Sequence, residues 1–164
     1  MPPCYNGEDS LAAIPNYKEN MENLTFKLVT NEQERKGAFE VRRQVFVQEQ
    51  GVSEELEYDG QDEAARHIVV KEGGRVIGTA RVRFLGNNRA KIERMAILKP
   101  FRRKGIGKKV IAFLKRELKR QGIAQVILHA QCDVTGFYKS CGFEETGAPF
   151  WEADIKHIKM QLKL

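Results

Sequence analysis

The 164-residue sequence lacks the features that mark membrane, secreted and metal-binding proteins. No run of about 18 apolar residues occurs, which excludes a membrane-spanning helix. The N-terminus has no charged and then apolar signal pattern, and no arginine precedes Arg35, which argues against secretion and against a mitochondrial presequence. The three cysteines, Cys4, Cys132 and Cys141, are too few and too scattered for a disulfide framework or a zinc site. These absences predict a soluble, cytoplasmic protein that binds no metal.

The composition is that of an ordinary globular protein, with 41% apolar and 30% charged residues. A chain of this length predicts one domain with a real core. Residues 1–23 contain three prolines and little periodicity, so we expect a flexible N-terminal extension there. A single folded domain is predicted over residues 24–164.

The net charge of +6 is unevenly distributed along the chain. Residues 99–120 contain ten Lys or Arg and one acid, Glu117, which leaves the rest of the chain at about −3. Because this basic stretch shows no regular interleaving of aromatic with basic residues and no recognition-helix motif, a phosphorylated small molecule suits it better than a nucleic acid. Residues 49–63 hold seven acids and no base. They form either a solvated loop or an acidic lip that attracts an amine.

The hydrophobic pattern predicts a mixed α/β fold. Strands are expected over residues 24–29, 66–72, 75–85 and 91–98, and the last three form an antiparallel meander through two glycine-containing turns. A first helix begins after Thr30 or Asn31 and ends at Gly51. A second helix over 104–121 ends at Gly122 and returns the chain to a parallel strand at 126–129. A short helix through Ser140 and strands from 142 and over 157–162 complete the domain.

The stretch from Ile92 to Gly107 reads as a strand, a basic turn and the start of a helix. Pro100 ends the strand, because it supplies no amide to a ladder. Gly105 and Gly107 lack β-carbons, so phosphate oxygens can approach the backbone closely. The helix start presents free N–H groups and the positive end of the dipole, which together suit a pyrophosphate. A tight turn with a solvated basic rim is the structural alternative.

Two motifs in the chain resemble the GNAT superfamily of N-acetyltransferases. Arg102-x-x-Gly105-x-Gly107, after a strand ending Met95-Ala96-Ile97, resembles its acyl-CoA-binding motif, and residues 137–143 resemble its aromatic-Tyr-x-x-x-Gly-Phe segment. Residues 41–52, the Asp59-Gly60-x-Asp62 turn, and His157-Ile158-x-Met160 are similar to the ElaA-like subgroup. The resemblance covers residues 24–164. It implies a mostly antiparallel sheet with a central crossover helix and a splayed parallel strand pair.

The resemblance also implies acetyl-CoA as co-substrate, with no metal, and a set of residues that bind it. These are Met95, Ala96, Ile97, Arg102, Arg103, Lys104, Gly105, Ile106, Gly107, Lys108, Phe137 and Tyr138. Tyr138 further resembles the general acid that protonates the departing thiolate. A phenol suits that role because its pKa is close to that of a thiol.

Glu93 is the predicted catalytic base. It lies two residues before Met95, so strand alternation predicts that both side chains share one face. A carboxylate in a partly closed pocket can have its pKa raised toward neutral, which suits a base acting through water. The alternatives are an ion pair of Glu93 with Arg81 or Arg83, and a base supplied by a histidine or by water. Any of the three histidines, at 67, 129 and 157, can titrate near neutral pH.

The predicted function is direct acetyl transfer from acetyl-CoA to the primary amine of a small molecule. Arg42, Arg43 and His67 are the candidate acceptor-binding residues. A phosphate on the acceptor would give the two arginines a purpose, and the family resemblance implies glucosamine 6-phosphate as one such acceptor; two solvated surface arginines are the alternative. The alternatives are a protein or peptide N-acetyltransferase, a non-catalytic acyl-CoA-binding regulator and a basic nucleic-acid binder. Members of the superfamily are often dimers, so a homodimer is compatible with the resemblance.

Overall fold

A seven-stranded sheet organises the chain in a computed structural model, which describes residues 23–164. The strands are β1 Leu24–Leu28, β2 Arg66–Glu72, β3 Arg75–Gly86, β4 Arg89–Ile97, β5 Gln125–Gln131, β6 Glu144–Glu152 and β7 Ile155–Lys163. The α-helices are α1 Glu32–Arg42, α2 Glu54–Glu57, α3 Ile106–Arg120 and α4 Thr135–Ser140. The predicted flexible extension lies, except for Asn23, outside the described residues.

The strand order is β1-β2-β3-β4-β5-β7-β6, and one neighbouring pair, β4 with β5, is parallel. The predicted meander of β2, β3 and β4 is confirmed. In its second turn Asn87 and Asn88 have φ values of 51° and 54°. Positive φ at both central residues is what a two-residue hairpin turn needs to match the right-handed twist of its strands. The parallel return of β5 after the α3 crossover is also confirmed.

The core lies between the sheet and α3, with α1 packed against β2 and β3. Five residues of α3 at helical spacing are buried: Ile106, Val110, Ile111, Leu114 and Leu118. They belong to one apolar cluster with buried residues of β3, β4 and β5. The helix is terminated at Gly122, whose left-handed φ of 76° turns the chain so that the Ile123 N–H donates to the Leu118 carbonyl at 3.0 Å.

The first predicted helix is present, but its second half has a different geometry. Asn31 caps α1 by accepting a hydrogen bond from the Glu34 N–H at 2.9 Å. From Arg43 to Glu49 the helix continues as a π-helix, which hydrophobic periodicity did not indicate. A wider helical turn of this kind often occurs at functional sites. The π-helix brings Val45 and Phe46 to the rim of the cleft described next.

Candidate active site

A cleft of about 990 Å³ opens where β4 and β5 separate. The two strands are in register over four residue pairs, from Arg89 with Gln125 to Ile92 with Leu128. Beyond that point β4 runs on to Ile97 and β5 to Gln131 without pairing to each other. The splayed parallel pair implied by the family resemblance is therefore confirmed, and it leaves one edge of β4 facing the cleft.

A β-bulge at Arg94 changes the direction of side chains along this edge. In the β3–β4 register Arg81 opposes Glu93 and Thr79 opposes Ala96, so β4 carries one extra residue. Arg94 adopts a left-handed φ of 51° there, a conformation that non-glycine residues rarely adopt. Because the bulge breaks the two-residue alternation, the prediction that Glu93 and Met95 share a face is wrong.

Eleven of the twelve predicted cofactor-binding residues line the cleft: Met95, Ala96, Ile97, Arg102, Arg103, Gly105, Ile106, Gly107, Lys108, Phe137 and Tyr138. We call this set, contributed by residues 95–108 and 137–138, the glycine-turn wall. The twelfth residue, Lys104, is absent from the lining, and its ammonium lies over the Phe101 ring at 5.3 Å from the centroid.

The two glycines of the turn serve different purposes. Gly105 is the N-cap of α3 with a left-handed φ of 77°, and nothing lies within 4 Å of the position of a Cβ there. A Cβ on Gly107 would lie 3.0 Å from Cζ of Phe137, so this glycine lets α4 pack closely on α3. The open space at Gly105 therefore allows a ligand to approach the backbone closely, whereas Gly107 is needed for packing between helices.

The Arg102 side chain is already held by protein groups. Its Nε donates to the Ile97 carbonyl at 2.8 Å, and its two terminal nitrogens lie 2.5 and 2.9 Å from the Glu49 carboxylate. The guanidinium charge is thus compensated by Glu49, at the end of the π-helix. Exposed Arg103 and Lys108 are the other cleft-lining cations beside the turn, next to the first-turn N–H groups of α3.

Tyr138 projects from α4 toward β4. Its hydroxyl lies 3.9 Å from the Met95 sulfur, and its ring packs edge-to-face against Phe137 and Phe143. Burial, with a smaller contribution from Cys141, raises the pKa of Tyr138 to about 12. The phenol is therefore protonated at neutral pH, but its pKa lies well above that of a thiol, unlike the near match that the sequence argument assumed.

Glu93 is bound by three cations from β3 and β4. Its carboxylate lies 2.8 Å from Arg81 Nη2, 2.8 Å from Arg83 Nε and 2.9 Å from Lys91 Nζ. Burial opposes ionisation of this carboxyl, but hydrogen bonds from Arg83 and Lys91 outweigh it and lower its pKa to about 2. The expected rise toward neutral is wrong, because the ion pairing given as the alternative is what the structure contains.

The three predicted acceptor-binding residues do not line the cleft. Arg42 is fully buried and bonded to Glu57 at 2.5 Å and to Asp62 at 2.6 Å. Arg43 pairs with Glu40 on the outer surface of α1 at 2.7 Å. His67 is buried with Nε2 at 3.2 Å from the Asp62 carbonyl, and burial lowers its pKa. These predictions are wrong in location, since Arg42 and His67 are buried away from the cleft and Arg43 is paired with Glu40 outside it.

Arg42 belongs instead to a buried network that holds the acidic segment in place. Arg81, also fully buried, bonds Asp59 at 2.7 Å and Asp62 at 3.1 Å in addition to Glu93. Arg94 on the bulge reaches the Glu57 carboxylate at 2.9 Å. We call one set of cleft-lining residues the ion-pair wall: Leu56, Glu57, Asp59, Glu93 and Arg94. Arg42 and Arg81 hold this wall through its carboxylates. Two acids of the predicted acidic lip, Glu57 and Asp59, thus line the cleft, and arginines compensate both carboxylates.

A third group of cleft residues comes from β5 and the β6–β7 hairpin. His129, Gln131, Glu152 and His157 line the cleft together. The His129 Nδ1 lies 3.3 Å from Glu152 Oε2, and His157 Nδ1 lies 2.8 Å from the Ile155 carbonyl. The two histidines were candidates on sequence grounds, but nothing in the sequence pointed to Glu152, because its position depends on the placement of β7 between β5 and β6.

Two other kinds of feature are absent from residues 23–164. In this range no group of three or more His, Cys, Asp or Glu side chains is placed to hold a metal ion. No helix in the same range is long and apolar enough to cross a membrane.

The fold and the cleft define the class of protein. A family model described as an acetyltransferase (GNAT) domain matches residues 28–164, so the chain belongs to the GNAT acetyltransferase family. The resemblance predicted from the glycine turn and the Tyr138 segment is confirmed. The chain is therefore an acetyltransferase of this family.

Individual relatives support this membership. The chain is 37% identical over 140 residues to the Bacillus subtilis (strain 168) protein YyaT, covering 84% of this chain and 94% of YyaT. The crystal structure of Escherichia coli ElaA matches with a TM-score of 0.75 at 21% identity, covering 84% of this chain and 98% of ElaA. A GNAT family acetyltransferase from Elizabethkingia anophelis with acetyl-CoA bound matches with a TM-score of 0.69 at 18% identity, covering 87% and 99%. Both structures share this fold.

Proposed function

We propose that the protein, acting as one domain over residues 24–164, transfers the acetyl group of acetyl-CoA directly to the primary amine of a small molecule. The observation that carries the proposal is the splay of β4 from β5, which ends in a glycine turn with the Tyr138 phenol beside it. When bound, acetyl-CoA supplies the acetyl thioester. The residues of this chain supply binding, orientation and proton transfer.

The free edge of β4 fits a pantetheine arm. On its other edge the strand is hydrogen-bonded to β3, with Gly78 opposite Ile97. Backbone groups of Met95 and Ile97 toward the cleft can pair with the amides of the arm as an added strand would, and an N–H there can polarise the thioester carbonyl. The Arg102 Nε donates a hydrogen bond to the Ile97 carbonyl, so the guanidinium lies at the end of the free β4 edge.

The start of α3 fits the pyrophosphate. The first-turn N–H groups have no partners within the helix, and the dipole adds positive potential. Arg103 and Lys108 add exposed positive charge at the same place. Main-chain donors thus supply the geometry for binding the diphosphate, and the two side chains strengthen its attraction.

Tyr138 is suited to act on the departing sulfur. A pKa of about 12 keeps the phenol protonated at neutral pH. Its hydroxyl is directed at a sulfur atom of the protein, Met95 Sδ, 3.9 Å away on the cleft edge of β4. We therefore assign Tyr138 as the donor that stabilises and then protonates the thiolate.

The acceptor that the cleft favours is a small amine without a phosphate. The two arginines that suggested a phosphorylated amino sugar lie outside the cleft, and Arg94 and Lys91 within it are bonded to Glu57 and Glu93. The cleft volume of about 990 Å³ is at the upper end of small-molecule sites. Part of it must hold the acyl donor, which leaves room for a compact acceptor.

Thermal shift and thiol release test the proposal with a matched pair of variants. Acetyl-CoA is expected to raise the melting temperature of the wild type, and a panel of small amines to trigger release of free thiol. Lys108→Glu should lose most of the thermal shift, because it places a carboxylate beside the phosphate-binding amides. Lys109→Glu makes the same charge change one residue away, outside the cleft, and should keep most of it. No shift with acetyl-CoA in the wild type would overturn the proposal.

A further inference from the structure

We propose that His129, oriented by Glu152, is the base that takes a proton from the acceptor amine. The inference rests on the proposed acetyl transfer and assigns a step within it. It removes the base role from Glu93, whose carboxylate is already bonded to Arg81, Arg83 and Lys91.

The position of His129 follows from the splay. Leu128 is the last β5 residue in register with β4, so His129 is the first residue beyond the point where the strands part. The neighbours Leu128 and Ala130 are buried in the core, whereas His129 is partly exposed and lines the cleft. The imidazole therefore stands at the base of the opening that the acyl group must reach.

The contact with Glu152 fixes the tautomer of the imidazole. A carboxylate can only accept a hydrogen bond, so at 3.3 Å from Oε2 the His129 Nδ1 carries the proton. The lone pair is then on Nε2, which is the atom that can accept a proton. The hydrogen bond from His129 lowers the pKa of Glu152, so the carboxylate is ionised and stabilises the imidazolium that forms.

Aromatic packing limits the movement of the ring. Phe150, two residues before Glu152 on β6, meets the His129 ring edge-to-face with centroids 4.8 Å apart. The same phenyl ring stacks on His157 at 6.1 Å and 22°. His129 is thus held between an orienting carboxylate and a phenyl ring, as a positioned base requires.

The remaining histidines serve the role less well. His67 is buried outside the cleft. His157 lines the cleft and donates from Nδ1 to the Ile155 carbonyl at 2.8 Å, so its Nε2 also carries a lone pair. However, a carbonyl gives an imidazolium no full counter-charge, whereas Glu152 does. The experiment below separates the two residues.

The proton transfers balance with the residues present. His129 Nε2 takes one proton from the substrate ammonium, the amine nitrogen bonds to the acetyl carbon, and the bond from that carbon to sulfur breaks. Tyr138 gives its phenolic proton to the sulfur and regains one from the newly acylated nitrogen. His129 then releases its proton to solvent. The products are the amide, free CoA and one proton.

The charged groups around His129 come from three strands. They are Glu152 on β6, His157 and Lys159 on β7, and Lys91 and Glu93 on β4. Lys159 opposes His129 directly in the β5–β7 register. Because Glu152 is the anion hydrogen-bonded to His129, while His157 and Lys91 act on it only through longer-range attraction, its removal should affect the imidazole most.

The experiment measures kcat/KM against pH for the wild type and for His129→Gln, Glu152→Gln and His157→Gln, with any amine that releases thiol. His129→Gln is expected to lower kcat/KM about 100-fold and to abolish the acidic limb of the profile. Glu152→Gln should move that limb to lower pH, because the imidazolium loses its counter-charge, and Glu152→Asp should restore part of it. The thermal shift by acetyl-CoA should persist in all the variants, which also reports that they are folded.

Two results would overturn this inference and leave the proposed function standing. One is a His129→Gln variant with the kcat/KM and the acidic limb of the wild type. The other is loss of the acidic limb in His157→Gln and not in His129→Gln. Chemical rescue gives an independent check, since added imidazole should restore turnover in His129→Ala but not in Tyr138→Phe. Absence of thiol release from the wild type with every amine would overturn the proposed function and this inference with it.

Discussion

The glycine-turn wall and the ion-pair wall line the same cleft and adjoin on β4, where Arg94 precedes Met95, but they are built in different ways. Most of the glycine-turn wall comes from a single stretch, residues 95–108, and offers mainly backbone groups. The ion-pair wall combines side chains from α2, the loop after it and β4, and two buried arginines from α1 and β3 hold it. A short motif is therefore enough to specify the first wall, whereas the second exists only when the whole sheet has formed.

This difference matches what the two walls have to do in an acyltransferase. A donor with an invariant diphosphate can be bound by main-chain N–H groups, whose geometry does not depend on side chains. The ion-pair wall is rigid, since Arg81 bonds three carboxylates and Arg42 bonds two. Replacing one residue of the network leaves its partners as unpaired buried charges, which destabilises the fold. Mutations in the ion-pair wall should therefore affect mainly stability, and mutations in the glycine-turn wall mainly binding and turnover.

The largest effect is expected when the central cation of the ion-pair wall is removed. Arg81→Met leaves Asp59, Asp62 and Glu93 without their shared partner and should lower the free energy of unfolding by about 3–5 kcal/mol. Urea unfolding measures the change. Arg66→Met, on the exposed end of β2, is the control and should stay within about 0.5 kcal/mol of the wild type. A loss below about 1 kcal/mol in Arg81→Met would contradict the assigned role of the network.

On the glycine-turn wall the next largest effect should be on turnover and not on stability. Tyr138→Phe removes one hydroxyl and should reduce kcat about 100-fold, because the departing thiolate loses its proton donor. The Kd for acetyl-CoA, measured by calorimetry, should change less than about threefold.

The control is Tyr58→Phe, since Tyr58 stacks over Arg42 outside the cleft. It should retain wild-type kcat. Equal losses of kcat in the two variants would show that the Tyr138 hydroxyl has no special function.

The same contrast, between a wall specified by a short stretch and a wall that needs the whole sheet, explains how much of each could be predicted from the sequence. The strand, the turn at Gly105 and the start of α3 were recognisable because backbone conformation there is dictated locally, by Pro100 and by glycine. The fold class was predicted for a similar reason, since hairpin turns and apolar spacing are local signals.

The side-chain partners of the second wall were not predictable in this way. The bulge at Arg94 has no glycine to mark it, yet it redirects the side chains after Glu93. Simple strand alternation takes no account of the bulge, so it wrongly predicted that Glu93 and Met95 share a face. Arg42 and Arg43 are adjacent in sequence, but one is fully buried and the other lies on the surface. Only the packing of α1 on the sheet decides between them.

A smaller effect should appear as a pH dependence of stability. Glu93 has a folded-state pKa of about 2, below its ordinary value of 4.5, so the stability it contributes is present above pH 4.5 and is lost as the pH falls toward 2. Allowing for solvent screening, we expect a contribution of about 1–2 kcal/mol.

Melting temperatures between pH 5 and pH 2 test this sign. Glu93→Gln should be less stable than the wild type at pH 5, and the difference should narrow as the pH is lowered. Glu144→Gln, an exposed residue on β6, serves as the control. A difference that widens toward pH 2 would contradict the assigned direction of the shift.

The smallest effect is expected at the ion pair of Glu49, at the end of the π-helix, with Arg102 of the glycine-turn wall. Both side chains are about one-third exposed, so the pair itself contributes about 0.2–1 kcal/mol. Glu49→Gln removes a negative charge beside the phosphate-binding turn and releases the Arg102 guanidinium toward it. We expect acetyl-CoA to bind about threefold more tightly, with a larger gain at low salt.

Calorimetry at two salt concentrations measures the change, with Glu63→Gln as the control because Glu63 pairs with Arg35 outside the cleft. If Glu49→Gln instead binds acetyl-CoA more weakly, Glu49 holds Arg102 in the orientation that the phosphates need. The glycine-turn wall would then depend on a side chain of the π-helix. It would no longer be specified by its local sequence alone, and the two walls would differ less than proposed.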